Sequence, residues 1–305
     1  MPNYERPSPA MLRHILALLR PKHWIKNLVV FAPLIFAKEL FEPGQFLLAV
    51  DAFLAFCLTA SAVYVINDMA DADADRAHPL KKNRPIAART VSTRTAMTLL
   101  VVLLALDMLL CLGLASRAVL LLAAYFLMNL AYSFKLKDVL LLDVFVIAAG
   151  FMLRVLAGAY AIGVQVSSWI VLCSMFISLF LGLAKRRGEI VQFQGTGNDA
   201  PRAVLRLYSV GSLEQMLTIA AAGAVISYAL YTVAPRTMEI FGTDKLIYTT
   251  VFVIYGVFRY LFLIHAGKQI ENPTNALTSD VPILVNGALW ILACIYLIYY
   301  RLGIF

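Results

Sequence analysis

Charged residues are scarce in this chain. Only 14% of its 305 residues are Asp, Glu, Lys or Arg, whereas 61% are hydrophobic, and the mean hydropathy is +0.80. A soluble domain has about 25% charged residues, and a helix that spans a bilayer needs about 20 mainly apolar residues. The composition therefore excludes an ordinary soluble domain. It predicts an all-α, polytopic membrane bundle in which residues 1–305 form a single domain.

Cysteine and histidine are scarce as well, with four of each. The cysteines lie in apolar stretches without CxxC spacing, and the histidines show no metal-ligand spacing, so there is no basis for a disulfide framework or a Cys/His metal site. No nucleic-acid-binding motif accompanies the net charge of +8. We therefore attribute the positive charge to contact with an inner membrane leaflet or to polyphosphate substrates.

Nine apolar segments are predicted to cross the membrane. They lie at residues 24–37, 46–66, 97–115, 118–134, 139–162, 167–184, 214–234, 246–265 and 282–300. The first is short and contains Pro33, so its limits are open. Residues 1–22 do not resemble a cleaved signal peptide, and their apolar positions have the spacing of a short helix on the membrane surface.

Lys and Arg are distributed unequally between the two sides of this predicted bundle. With the N-terminus placed inside, 19 of the 26 basic residues lie in inside segments and five lie outside. Cytoplasmic loops of membrane proteins are enriched in Lys and Arg. We therefore expect a plasma-membrane protein whose N-terminus and active-site loops 67–96 and 185–213 face the cytoplasm, with the C-terminus outside.

Four carboxylates follow the second apolar segment, in the sequence NDMADADAD at residues 67–75. On a helix, Asp68, Asp71 and Asp75 share one face, whereas Asp73 points elsewhere. Three like charges on one face repel one another unless a cation lies among them. Oxygen ligands without nearby Cys or His favour Mg²⁺, with Mn²⁺ as a second choice, bound together with substrate phosphates. The alternative is an acidic cap on a solvated helix end.

A basic run follows the carboxylates directly. We expect Lys81 and Arg84 to neutralise the phosphate oxygens that a metal ion leaves uncovered. Cytoplasmic loops of membrane proteins are generally rich in Lys and Arg. The alternative is therefore that these residues serve only to orient the chain in the membrane.

The pattern NDxxDxxxD at 67–75, followed by KKNRP at 81–85, resembles the UbiA superfamily of intramembrane prenyltransferases. The resemblance covers essentially the whole chain, including the number of spans and the placement of loops. It implies a nine-helix bundle around a central cavity, with Mg-diphosphate at the cytoplasmic mouth and a lateral opening for an isoprenoid. It also implies that Asn67, Asp68, Asp71 and Asp75 are the catalytic residues, the three aspartates as metal ligands.

The second acidic motif of this superfamily is missing. Members that prenylate aromatic acceptors typically carry DxxxD after the sixth span, where this chain has KRRGE at 185–189. Other stretches, PKHWIKN at 21–27, YSFKLK at 132–137, the segment from Leu142 to Gly158, and ENPT at 271–274, are similar to the phosphoribosyl-transferring branch found in actinobacteria. This resemblance implies transfer of 5-phosphoribose from phosphoribosyl diphosphate to decaprenyl or another polyprenyl phosphate, a step toward the arabinose donor of cell-wall arabinan.

A phosphoribosyl donor carries a 5-phosphate in addition to its diphosphate, so a second cationic pocket is expected. Lys185, Arg186 and Arg187 are candidates for it, with the inside flank of a span as the alternative. Lys22 and Lys26 share a helical face as i and i+4 and are available for this phosphate or for the lipid phosphate. Further candidates for substrate binding are Tyr132, Lys135, Lys137 and Glu189.

Two ionisable residues lie on one face of the fifth predicted span, about 16 Å apart. Asp143 is a candidate ligand for ribose hydroxyls or a second metal ion. Arg154 lies deeper, where an ionisable group faces either a polar cavity or a partner, and Asp107 is the candidate partner.

Two other functions stay open from the sequence. One is a prenyltransferase that moves a polyprenyl group from its diphosphate to an aromatic acceptor. The other is a transporter with a divalent-ion vestibule, which is disfavoured because charged residues thin out toward the outer side. The sequence also leaves open whether the chain forms a homo-oligomer.

Overall fold

The computed structural model describes residues 9–77, 81–196, 203–265 and 279–299, and within these ranges the regular structure is helical without strands. This confirms the all-α prediction. The α-helices are α1 (Pro9–Leu19), α2 (Ala32–Phe36), α3 (Pro43–Ala70), α4 (Ala72–Ala77), α5 (Thr93–Cys111), α6 (Ser116–Phe134), α7 (Leu142–Ala161), α8 (Ser168–Thr196), α9 (Val210–Val233), α10 (Pro235–Phe241), α11 (Thr250–His265) and α12 (Val281–Tyr299). Shorter 3-10 segments lie at Lys81–Asn83, Leu136–Asp138, Ala203–Leu207 and Lys245–Thr249, and a longer 3-10 helix lies at Pro21–Phe31.

Eight helical segments of the described chain are long and apolar enough to cross a bilayer. They correspond to eight of the nine predicted spans, so the chain is a multi-pass membrane protein. The remaining segment, predicted at 24–37, is divided between the 3-10 helix Pro21–Phe31 and the short α2. At the N-terminal end, α1 exposes Leu12 and Leu16 and buries Leu18 next to α3, as a helix on a membrane surface would.

The predicted loop at 185–213 begins as helix, because α8 continues to Thr196. Ion pairs across successive turns support this extension: Arg186 pairs with Glu189 at i and i+3, and the Lys185 ammonium lies 4.0 Å from the same carboxylate at i and i+4. The basic residues after the sixth span are therefore held on a rigid helix. Their side chains point in different directions around α8 and do not converge on one pocket.

The 3-10 helix Pro21–Phe31 lies against both α3 and α7. Gly158 of α7 makes the contact with Val30 possible, since a Cβ on Gly158 would lie 2.2 Å from the Val30 carbonyl oxygen. On the other side, the Trp24 indole N–H donates to Ser61 of α3 at 3.1 Å. The 3-10 helix is thus positioned between α3, which carries Asp68, and α7, which carries Asp143 and Arg154.

Buried apolar residues form separate clusters on the two sides of α7. Ala157 and Ala161 belong to a cluster with α3 and α6, whereas Val144 and Ala148 belong to one with α8, α9 and α11. Helix α7 therefore connects the two halves of the bundle.

Candidate active site

The acidic segment forms a nearly continuous helix with one break at Asp71. Helix α3 ends at Ala70, α4 begins at Ala72, and the Asp75 amide still donates to the Asp71 carbonyl at 2.8 Å. Asp68 and Asp75 are each 2% exposed, whereas the Asp73 side chain is 93% exposed and pairs only locally with Arg76. The prediction that Asp73 points away from the other carboxylates is confirmed.

Two arginines hold the buried carboxylates together. The Arg84 guanidinium donates from one nitrogen to Asp68 Oδ1 at 3.1 Å and to Asp75 Oδ2 at 2.7 Å. Arg20, which no sequence pattern indicated, donates to the same Asp68 oxygen at 2.7 Å. Arg20 is the N-cap residue of the 3-10 helix Pro21–Phe31, far from the acidic run in sequence, and no local motif marks it.

Two lysines complete the group of cations around the aspartates. Lys137 lies 3.4 Å from Asp71 Oδ1, and Lys81 lies 3.9 Å from Asp75 Oδ1. The structure therefore brings Lys81 and Arg84 to the carboxylates as expected, and it adds Lys137 from the α6–α7 connection. Near the end of α3, the Asn67 carbonyl accepts a hydrogen bond from the Asp71 amide at 2.9 Å. The helical hydrogen bonding of α3 therefore continues up to the break at Asp71.

The oxygen ligands suit a magnesium ion that arrives with its substrate. Among the described residues, no group of three or more Asp, Glu, His or Cys side chains is placed so that it could hold a metal ion. Both arginine bonds to Asp68 end on Oδ1, and the lysine contact to Asp71 also ends on Oδ1. Mg²⁺ in phosphate-transfer sites is usually held by one or two carboxylates, with water and phosphate oxygens as the other ligands. A metal ion that arrives with its substrate would take its protein ligands from Asp68, Asp71 or Asp75.

The 3-10 helix Pro21–Phe31 presents three faces, because this helix type has three residues per turn. The most buried face contains Trp24, Asn27 and Val30, and the exposed face contains Lys22, Ile25 and Leu28. The third, half-buried face contains His23, Lys26 and Val29. The prediction that Lys22 and Lys26 share a face assumed an α-helical period and is wrong. Lys26 shares its face with His23 instead.

Tyr64 of α3 lies beside the half-buried face. Its hydroxyl is 3.1 Å from His23 Nδ1, and the Arg20 guanidinium lies over its ring at 4.8 Å from the centroid. Burial, together with the positive charges of Lys26, Arg20 and Lys185, lowers the pKa of His23 to about 4. His23 is therefore a neutral hydrogen-bonding group at neutral pH.

Lys26 is surrounded by other cations. Burial is the main cause that lowers its pKa to about 8, and the charges of Lys185, Arg154 and Arg20 lower it further. The structure thus brings Lys26 of the 3-10 helix and Lys185 of α8 into one region, in line with the expectation that both lysines are available for one phosphate pocket. We refer to Arg20, Lys26 and Lys185 as the positive region.

Arg186 has a different environment from Lys185. Its side chain is fully buried and donates to Asp143 at 2.5 Å, to Glu189 at 2.6 Å and to the Tyr132 hydroxyl at 3.4 Å. The Tyr208 hydroxyl donates to the other oxygen of Asp143 at 2.8 Å. Both oxygens of Asp143 are therefore engaged inside the protein, and Arg186 is neutralised by two carboxylates. The expectation that Asp143 binds ribose or a second metal ion, and that Arg186 binds the 5-phosphate, is not supported by this geometry.

Arg187 points to a third side of α8. It donates to Glu214 of α9 at 2.9 and 3.1 Å and to the Ile264 carbonyl of α11 at 3.2 Å. Successive residues of an α-helix differ by about 100° in direction, which separates the three neighbouring cations. The expected pocket of Lys185, Arg186 and Arg187 is therefore not formed, and only Lys185 belongs to the positive region.

Arg154 does not pair with Asp107. Its guanidinium donates to the Asn27 side chain at 2.6 Å, to the Tyr125 hydroxyl at 2.8 Å and to the Gly150 carbonyl at 2.8 Å. Asp107 instead accepts a hydrogen bond from Thr59 at 2.8 Å. The alternative in which Asp107 neutralises Arg154 is wrong, and Arg154 fastens the 3-10 helix to α7 through Asn27.

The remaining candidates lie outside these groups. Lys22 and Lys135 are exposed, and neither is part of the positive region. The ENPT stretch at 271–274 lies outside the described residues.

Comparison with known proteins identifies similar sequences over most of the chain. The model of the UbiA prenyltransferase family matches residues 28–274. The decaprenyl-phosphate phosphoribosyltransferase of Corynebacterium glutamicum is 38% identical over 236 residues, which cover 75% of this chain and 70% of that protein. The protein of the same name from Mycolicibacterium smegmatis is 35% identical over 229 residues, covering 74% and 72%. The nodulation protein NoeC of Azorhizobium caulinodans is 29% identical over 92% of each chain.

Solved structures with the same arrangement of helices come from Archaeoglobus fulgidus. A UbiA homologue bound to DMAPP and Mg²⁺ matches with a TM-score of 0.70 at 21% identity, over 93% of this chain and 98% of that one. The same homologue bound to GPP and Mg²⁺ matches with a TM-score of 0.69 at 20% identity, over 93% and 99%. At this level of identity, the likeness shows the fold alone.

Proposed function

The chain belongs to the UbiA prenyltransferase family, and we propose that it is a Mg-dependent phosphoribosyltransferase of this family. In the proposed reaction, 5-phosphoribose passes from phosphoribosyl diphosphate to decaprenyl phosphate or a similar polyprenyl phosphate, and diphosphate is released. In a cell that builds arabinan, this product would lead to the arabinose donor. Relatives that are 34–38% identical carry the name decaprenyl-phosphate phosphoribosyltransferase, which supports this assignment.

One observation carries the proposal beyond the family. Two cationic regions lie side by side, and Arg20 belongs to both: it donates to Asp68 at 2.7 Å and lowers the pKa of Lys26 through its charge. The first region contains carboxylates and suits a metal-bound diphosphate. The second contains Lys26 and Lys185 and suits a phosphate without a metal ion. The proposed donor carries a 5-phosphate in addition to its diphosphate, and the lipid acceptor carries a phosphate as well. The proposed reaction therefore needs both kinds of site.

The carboxylate region would hold the leaving group. Asp68, Asp71 and Asp75 would hold Mg²⁺, which would supply positive charge to stabilise the departing diphosphate. Arg84 and Lys81 are placed to donate to the diphosphate oxygens as the bond between C1 and oxygen breaks. Because these donors are already assembled by the fold, they stabilise the developing charge without reorganising.

The acceptor needs no general base. A phosphate monoester has its second pKa near about 6 and is already an anion at neutral pH. Its oxygen would attack the anomeric carbon on the face opposite the departing diphosphate, where an oxocarbenium-like sugar develops, so an α donor gives a β product. Catalysis would then rest on positioning and electrostatic stabilisation.

The basic residues also support an orientation. We place the N-terminus and both cationic regions on the cytoplasmic side of the plasma membrane and the C-terminus outside, because 19 of 26 Lys and Arg lie in segments that this orientation puts inside. Phosphoribosyl diphosphate is a charged, water-soluble donor, and this orientation lets it reach the site from the aqueous side.

The test uses the purified full-length protein in detergent with Mg²⁺. We expect diphosphate release and a phosphoribosylated lipid when phosphoribosyl diphosphate and decaprenyl phosphate are supplied together. The rival function in this family, prenyl transfer to an aromatic acceptor, is tested in parallel with a polyprenyl diphosphate and 4-hydroxybenzoate. Turnover in the second mixture without turnover in the first would overturn the proposal.

A further inference from the structure

Lys26 is a half-buried cation without a counter-ion in the described part of the chain. The described carboxylates nearby are already engaged. Asp68 is shared by Arg20 and Arg84, and the Glu189 carboxylate is shared by Arg186 and Lys185. Burying a charge without a partner is costly, and neighbouring charges of the same sign add to that cost. A site with this excess of positive charge is suited to an anion supplied by a ligand.

The fold holds this charge in place. The Asn27 amide donates to the Cys57 sulfur of α3 at 3.2 Å, and its side-chain oxygen accepts from Arg154 of α7 at 2.6 Å. These two bonds fix the rotation of the 3-10 helix, and the period of three then directs His23 and Lys26 to one side. Lys185 reaches the same side from α8. The positive region is therefore built by two elements, the 3-10 helix with its N-cap residue Arg20 and α8, and is not a flexible basic tail.

The chemistry of the region differs from that of the aspartate site. A metal-bound diphosphate needs carboxylate oxygens to hold the metal, and these belong to the Asp68–Asp75 group. The positive region offers two ammonium groups, one guanidinium and the neutral His23 imidazole. Such a set binds a doubly charged phosphate directly, through charge-assisted hydrogen bonds.

We infer that Arg20, Lys26 and Lys185 form a second anion site, which binds a phosphate monoester without a metal ion beside the Asp68–Asp75 diphosphate site. The inference rests on the proposed function for its ligands, because the 5-phosphate of the donor and the phosphate of the lipid acceptor are both monoesters. The bond from Arg20 to Asp68 makes the two sites neighbours. A monoester bound here is therefore held next to the reacting diphosphate.

The experiment measures binding of two probes to the full-length protein in detergent, without turnover. Ribose 5-phosphate represents the donor, and farnesyl phosphate represents the lipid, with ribose and farnesol as phosphate-free controls. We expect Lys26→Met and Lys185→Met to weaken binding of one probe by about 10- to 100-fold, the effect of losing a hydrogen bond to a charged group. Lys26→Arg keeps the charge and should retain binding within about threefold. The control Lys245→Met removes an exposed lysine from another part of the chain.

The outcomes separate the two sources of phosphate. Loss of ribose 5-phosphate binding assigns the site to the donor, and loss of farnesyl phosphate binding assigns it to the acceptor. Binding of Mg-diphosphate should stay within about threefold in Lys26→Met, since that ligand uses the carboxylates. If the wild type binds neither monoester, or if both Met variants bind both probes normally, the inference is wrong.

The same experiment distinguishes this inference from the proposed function. Binding of a monoester that depends on Lys26 in a protein that does not transfer phosphoribose would overturn the function and keep the site. Phosphoribosyl transfer with monoester binding unaffected by Lys26→Met and Lys185→Met would overturn the site and keep the function.

Discussion

Arg186 of α8 and Asp143 of α7 form an ion pair in which both side chains are fully buried. The same guanidinium also pairs with Glu189 one turn along its own helix. Two carboxylates that face the interior are thereby neutralised by an internal cation. The basic sequence that replaces an acidic motif at 185–189 therefore supplies a structural pair as well as the Lys185 charge.

We expect Arg186→Met to destabilise the protein strongly. Removing one partner of a buried ion pair leaves an uncompensated charge and costs about 3–5 kcal/mol. Arg187→Met is the comparison and should cost less, because its partner Glu214 is 41% exposed and water can reach that carboxylate once Arg187 is removed. Thermal unfolding in detergent measures both. Equal losses in the two variants would contradict the structural role of Arg186, and Arg186→Met combined with Asp143→Asn should regain part of the stability.

We expect Asp68→Asn and Asp75→Asn to remove Mg-dependent turnover, each by about 100-fold or more, because each removes a charged oxygen ligand of the proposed metal. Asp73→Asn is a matched control on the same segment, since Asp73 is exposed and points away from the site. It should retain activity within about twofold. Near-normal turnover in both Asp68→Asn and Asp75→Asn would rule out the proposed site.

The two lysines of the 3-10 helix provide a test of its period. Lys26 lies on the half-buried face and Lys22 on the exposed one. Lys26→Met should weaken monoester binding by about 10-fold or more, whereas Lys22→Met should change it by about threefold or less, the effect of one exposed charge. Similar losses in both variants would indicate an α-helical period instead. The measurement is the binding of ribose 5-phosphate and farnesyl phosphate.

Binding at the positive region should depend on pH through Lys26. Its pKa is lowered to about 8, first by burial and then by Lys185, Arg154 and Arg20. The protonated form attracts the anion, so monoester binding should be strong below pH 8 and fall as the pH rises through about 8. His23, with its pKa lowered to about 4, stays neutral throughout this range. In Lys26→Arg the decline between pH 7 and 9 should disappear, because arginine keeps its proton up to a pH of about 12. An unchanged decline in that variant would assign it to another group.

The contact between α7 and the 3-10 helix is tested with Gly158→Ala. A Cβ there would lie 2.2 Å from the Val30 carbonyl oxygen, so the 3-10 helix must move. We expect a loss of about 1–3 kcal/mol, as for other overpacked contacts, together with weaker monoester binding. Gly287→Ala is the control, because nothing lies within 4 Å of its added Cβ. Thermal unfolding that is unchanged in Gly158→Ala would contradict the close packing.

Several features could be predicted because they depend on local properties of the chain. An apolar segment of sufficient length spans a bilayer wherever its neighbours lie, and this accounts for the eight spans. The orientation of Asp68 and Asp75 away from Asp73 follows from the helical period alone. Lys81 and Arg84 come to the carboxylates because they are only a few residues further along the chain.

Other features were decided by packing between distant segments. The 3-10 helix Pro21–Phe31 is attached to α3 by hydrogen bonds from Trp24 to Ser61 and from Asn27 to Cys57. Local sequence does not specify these contacts. That change of period moved Lys22 away from the site and left Lys26 in it. Arg20 reached Asp68 across 48 residues of sequence.

The sequence by itself therefore determined the membrane bundle and the shared face of the aspartates at 67–75, because hydrophobic length and helical period act over a few turns. Only the tertiary structure decided which cations share a site. Side chains that are adjacent in sequence, such as Lys185 and Arg186, diverge around their helix, and Lys185 meets Lys26 only because α8 and the 3-10 helix both pack against α7. Which charged residues meet across such separations in sequence depends on how the helices pack, and no local sequence pattern predicts it.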